Sequence, residues 1–149
     1  MTQRHTVLES PTYDLEDILA VNDVYHQRGW TDGLPILPPT ADLVYACLDV
    51  AGLAPHDIIG VESVRQRPIT AEKVAINAVM AGCKPEYLPV VLAAVEAALI
   101  PEFCMHGMLC TTHFVGPMVI VNGPIAKAIG MNSGGNALGQ GNRANGTIG

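Results

Sequence analysis

The chain has 149 residues, 49% of them hydrophobic and only 15% charged, and 8 basic against 14 acidic residues give a formal net charge of −6. This composition excludes a disordered chain, which needs low hydrophobicity and high charge, and it carries no basic stripe of the kind that binds nucleic acid. Mean hydropathy is +0.29, so polar residues are too few to cover a lone small sphere. Part of the surface is therefore expected to meet other protein in a higher oligomer.

Residues 1–12 read as an arm that frays or lies on a neighbouring subunit. Residues 13–149 read as one domain. Thr12 is placed to cap a first helix, with Asp14, Glu16 and Asp17 in its first turn. Leu15, Ile18, Leu19, Val21, Val24 and Tyr25 follow at helical spacing, and Gly29 stands past the end. The stretch 30–40, WTDGLPILPPT, holds too many prolines for a helix and should be a turn followed by extended chain. Thr40 caps a second helix, with Leu43, Val44, Cys47, Leu48 and Ala51 on one face and Gly52 at its close.

Residues 57–64 read as a strand. Thr70 caps a third helix over 71–81, with Glu72 and Lys73 in a solvated first turn and Gly82 as the stop. Pro85 opens a fourth helix that ends before Pro101. Both of these helices are apolar nearly all round, so they are buried on several sides or lie in a subunit contact. The run 116–122, GPMVIVN, reads as the best strand, and Pro124 starts a short helix through Ile129. A Gly/Asn-rich loop over 130–149 closes the domain. The fold class expected is α/β (mixed α+β): aliphatic helices packed on a small sheet and completed by a partner chain.

The four cysteines are Cys47, Cys83, Cys104 and Cys110. The N-terminal stretch is polar and shows no apolar export segment, so the thiols are expected to stay reduced in a cytoplasmic protein. The longest apolar run, 87–100, is broken by Pro89 and Glu96 and is too short to span a bilayer, so no membrane is expected as partner. Cys47 and Cys83 read as small buried hydrophobes.

Three segments carry residues suited to chemistry. Within 104–113, Cys104, His106, Cys110 and His113 are soft or borderline donors that suit a transition metal. The same segment supplies Cys110 as a nucleophile and His113 as its base, with the hydroxyls of Thr111 and Thr112 to orient a substrate oxygen. If the segment is extended, Cys104, His106 and Cys110 share one face and His113 points away. In the Gly/Asn loop, Asn132, Asn136, Arg143 and Asn145 are candidates to bind a small polar or anionic molecule. The G-x-G-x-x-A match at 139–144 is not read as dinucleotide binding, because no strand precedes it and no acidic ribose partner follows. Asp32 in the Pro-bounded turn is a candidate general acid or base, with an Asx-turn as the plainer reading.

The stretches WTDGLPILPPT, ITAEKVAINAVMAGCKPEYLPVVLAAVEA, PMVIVNGPIA and NALGQGNRANGTIG together resemble a bacterial family found near, or fused to, small thioredoxin-like or UGSC-type selenoprotein segments. The resemblance covers roughly residues 28–149. It implies thiol chemistry or a small electrophilic substrate. It also implies a chain that continues past the point matching Gly149, with a helix beginning near Ala144. On that basis the chain is expected to be one subunit of a split enzyme, or a cleaved or truncated piece, with a second subunit continuing the fold. Cys104 and Cys110 lie outside the family's pattern.

The leading expectation is a subunit of an oligomeric enzyme of lyase or hydrolase type, acting on a small polar or anionic molecule with Cys, His and Asp groups. A Cys/His metal-dependent enzyme subunit is the second reading, and a non-catalytic scaffold or regulatory subunit the third.

Overall fold

The computed structural model describes residues 7–149. Seven helices follow one another along these residues: α1 (Ile18–Gln27), α2 (Ala41–Ala51), α3 (Ala71–Met80), α4 (Leu88–Leu99), α5 (Met105–Cys110), α6 (Pro124–Ala128) and α7 (Arg143–Ile148). Between α2 and α3 lie two strands, β1 (Ile58–Glu62) and β2 (Arg67–Thr70), paired as an antiparallel hairpin. The fold is mixed α+β, as the sequence suggests.

Helices α2, α3 and α4 enclose the core. Val44 and Leu48 from α2 meet Val74, Ala75, Ala78 and Val79 from α3, and Leu88, Val90 and Leu92 from α4. Burying each Val or Leu stabilises the fold by roughly 1.5–3 kcal/mol. Alanines on the inner face of α3 let its neighbours approach closely. Cys47 and Cys83 are buried in the same cluster, as expected, and burial pushes both thiols above their ordinary range. Among the described residues no single helix is long and apolar enough to cross a membrane.

Local signals explain most helix ends. Gly52 closes α2 in the left-handed conformation (φ 68°), which a residue with a Cβ rarely adopts. The Thr70 hydroxyl accepts a hydrogen bond from the Lys73 N–H at 3.4 Å and caps α3. The first helix departs from expectation. It starts at Ile18, and Asp17 is the cap, accepting from the Ala20 N–H at 2.8 Å. Residues 11–15 are not helical. The better cap, one carboxylate nearer the apolar run, wins.

One other expectation is corrected. The stretch 116–122 joins no sheet, and its backbone makes no hydrogen bond to another segment of the described chain. A strand needs a neighbour, and β1 already pairs with β2, a partner the sequence does not announce. The segment 105–110, whose conformation the sequence leaves open, is helical. The described part of the N-terminal segment docks on the chain's own core: Leu8 packs against it, and the N–H groups of Glu9 and Ser10 donate to the Glu72 carboxylate at 2.9 and 2.8 Å. Residues 1–6 of the expected arm lie outside the described residues.

Glu72 is thus not solvated. It is only 2% exposed. Burial alone would raise its pKa, but the Ser10 hydroxyl, the two backbone donors and the Lys73 charge outweigh that and hold the carboxyl below the usual range. The Lys73 ammonium in turn donates to the Ser10 hydroxyl at 2.8 Å.

Candidate functional site: a carboxylate, an imidazole and a thiol in line

The hairpin turn and α5 meet beside the end of α4. The turn is closed by Glu62, whose carboxylate accepts from the Val64 N–H at 3.0 Å and the Arg65 N–H at 2.6 Å. Those two donors, Arg65 first, hold the Glu62 carboxyl below its usual range, and the neighbouring His106 and Arg65 charges add to this. Glu62 therefore stays a carboxylate at neutral pH, in a fixed orientation.

Its position depends on a close approach. A Cβ built on Gly60 would lie 2.6 Å from Leu99 Cδ1, so a larger residue here would force the Leu99 side chain to shift. After Leu99 the chain turns through the Pro101–Phe103 3₁₀ helix, and Cys104 adopts the left-handed conformation (φ 53°) that redirects it into α5. That bend brings His106 back over the hairpin. His106 Nδ1 lies 3.5 Å from Glu62 Oε1. One helical turn further on, Cys110 Sγ lies 3.5 Å from His106 Nε2. Residues four apart on a helix share a face, so the alignment follows from α5 being helical.

A cavity of about 340 Å³ adjoins this line, bordered by Glu62, Leu99, Ile100, Cys104, His106 and Gly107. Gly107 belongs there for steric reasons: a Cβ on it would stand 2.9 Å from Cys104 Sγ. Cys110 itself is exposed and lies outside the cavity lining.

The structure separates the other expected catalytic groups. His113 is exposed. Its backbone N–H donates to the Thr111 hydroxyl at 3.1 Å, and its ring is not hydrogen-bonded to Cys110, which pairs with His106 instead. Thr111 is thus committed to the local turn, and Thr112 is exposed. Asp32 accepts from the Leu34 N–H at 3.0 Å in an Asx-turn, and it is not part of the cavity beside His106. The four expected metal donors, Cys104, His106, Cys110 and His113, do not converge. Among the described residues no group of three or more His, Cys, Asp or Glu side chains is gathered to hold a metal.

The Gly/Asn loop is ordered, but its polar side chains serve the loop itself. The Asn145 amide donates to the carbonyls of Asn132 and Ala137 at 2.9 and 3.0 Å and accepts from the Asn132 N–H at 2.9 Å. Asn132 donates to the Gly135 carbonyl, and Asn136 to that of Gln140. Asn142 caps α7 through the Asn145 N–H. Arg143 donates through Nε and Nη2 to the Gly82 carbonyl at 3.0 and 2.9 Å, so it caps the C-terminal end of α3. The Cys83 thiol donates to the Thr147 carbonyl at 3.1 Å beside it. The expected loop is therefore partly a helix, α7, stapled to α3.

Sequence reasoning missed Glu62 and gave His106 only a metal role. The i, i+4 spacing of His106 and Cys110 was the available signal, visible once the segment is taken as helical. Nothing local points to Glu62.

No family model matches the chain, no curated protein matches it, and no solved structure matches it.

Proposed function

We propose that the chain is a subunit of an oligomeric, thiol-dependent hydrolase acting on a small ester- or thioester-like electrophile. The observation that carries this reading is the line from Glu62 through His106 to Cys110. The Glu62 carboxylate favours a proton on the near nitrogen, Nδ1, and leaves Nε2 as the acceptor that faces the thiol. His106 takes the Cys110 proton as the sulfur attacks the acyl carbon. The same proton goes to the departing alkoxide or thiolate. Water then attacks the acyl-sulfur bond with His106 again as base, which releases the acid and restores the thiol.

The oligomeric part rests on surface. Phe114, Met118 and Ile120 are 109%, 68% and 69% exposed. Residues 103–126 carry no Asp, Glu, Lys or Arg, so no like charges oppose two copies meeting there. The chain exposes 10236 Å², whereas a compact monomer of this mass exposes about 7,300 Å². The occupant proposed is a second copy, pairing its own 116–122 segment antiparallel across a twofold axis.

Hydrolysis of p-nitrophenyl acetate tests the chemistry. Cys110→Ser should abolish turnover, and His106→Gln should lower it by about 10²-fold or more. Full activity in both variants rejects the reading. The exposed 114–120 segment also favours the scaffold reading, under which a partner chain alone would turn over substrate.

A further inference from the structure

A second cavity, of about 570 Å³, lies between the docked N-terminal segment, α1, α2, α3 and the Pro-rich stretch before α2. Its volume falls within the range of small-molecule sites. Two tethers keep the Pro-rich stretch in place as one wall. The Asn22 amide oxygen accepts from the Ile36 N–H at 2.8 Å, and the Leu37 N–H donates to the Met80 carbonyl at 3.1 Å. The N-terminal wall is held by the Glu72 latch.

The lining holds an aromatic cluster and one cation. Tyr13, Tyr25 and Trp30 form a cluster, with ring centroids 5.7 Å apart for Tyr13–Trp30 and 5.1 Å for Tyr25–Trp30. Arg28, which does not line the cavity, stacks on the Tyr13 and Trp30 rings at 4.4 and 4.9 Å and fixes both. Lys73 also lines the cavity, with Asn77 one turn further along α3. Lys73 spends one of its three donors on Ser10, and among the described residues no carboxylate lies within ion-pair distance of its ammonium. Asp14, exposed on the N-terminal segment, is the other ionic lining group, and it disfavours a second negative charge on an occupant.

We infer that this cavity binds a monocarboxylate with an aromatic or branched apolar body, its carboxylate on Lys73 and its body against Tyr13, Tyr25 and Trp30. Such a ligand matches an apolar wall and a cation that has spare donors and only a Ser10-bridged, longer-range interaction with Glu72. The site is separate from Cys110 and His106 and does not depend on their reaction.

Trp30 is the only tryptophan in the chain, so its fluorescence reports on occupancy directly. Titration with 3-phenylpropanoate should change it saturably, with 3-phenylpropanamide and the dianion phenylsuccinate at least ten-fold weaker. In Lys73→Met, with folding checked by circular dichroism, the carboxylate should weaken at least ten-fold while the amide is unchanged. No saturable signal, or equal affinity for carboxylate and amide in the native protein, overturns the inference. That comparison needs no variant and stands even where Lys73→Met fails to fold.

Discussion

Gly60 and Leu99 approach so closely that a methyl group on the glycine would overlap the leucine. The contact sets the distance between the hairpin and the end of α4, and therefore the distance from Glu62 to His106. Gly60→Ala should destabilise the fold by about 1–3 kcal/mol, because overpacking forces side chain or backbone to shift. Leu99→Ala should relieve that clash. Urea denaturation of the double variant should show less destabilisation than the two single changes added together.

Glu62 predicts a pH dependence. Its carboxyl is held below the ordinary range, so the ionised form that orients His106 persists through mildly acidic pH. The alkylation rate of Cys110, followed by peptide mass spectrometry with Cys104 as internal reference, should lose the Glu62 contribution only as pH falls below the ordinary glutamate value of about 4.3. Glu62→Gln should remove that contribution at every pH above it.

Glu72 predicts a matching effect on stability. Its folded pKa is depressed, so its contribution is complete above the unfolded value and is lost as pH falls through the folded one. Glu72→Gln should cost about 1.5–3 kcal/mol at neutral pH, the range for hydrogen bonds to a charged group. It should also flatten the acid limb of a thermal-melting series. Protease digestion should then cut first within residues 7–16, released from α3.

Asn145 distinguishes a staple from a ligand group. Asn145→Ala removes three hydrogen bonds inside the loop. It should destabilise the protein by about 1–2 kcal/mol, since three partly buried backbone groups lose their partner. Hydrogen exchange at Asn132 should rise sharply. A role in ligand binding alone would leave the stability of the free protein unchanged.

Ile120 tests assembly. A lysine beside the centre of a self-paired, uncharged segment brings like charges close across the twofold axis. Ile120→Lys should shift the mass measured by light scattering from dimer or larger to monomer. A monomeric native protein would refute pairing of two copies.

The helices were readable because their signals are local. Thr40, Gly52, Thr70 and Pro85 punctuate the chain, and the apolar spacing between them does the rest. Residues 116–122 misled for a physical reason: an aliphatic run specifies extended backbone, but a sheet needs a neighbour that no local pattern supplies. The site was half legible. Cys110 and His106 lie one turn apart, yet the pairing emerges only with a helix that starts from a left-handed Cys104. Glu62 is brought in by tertiary packing, through a glycine whose importance depends on Leu99. The loop asparagines look like ligand groups from composition, but fifteen glycines in the chain leave many bare carbonyls, and amide side chains are the groups that satisfy them.

The anchoring of α7 on the end of α3 also bears on biosynthesis. Among the described residues, the Gly82 carbonyl and the Cys83 thiol find their hydrogen-bond partners in Arg143 and Thr147. During vectorial translation, α2, α3 and α4 emerge long before those residues do. The nascent chain must therefore hold an unfinished core, with an open helix end and an uncharged apolar tail, until the ribosome has passed position 147. That interval is when chaperone binding or aggregation would compete with folding.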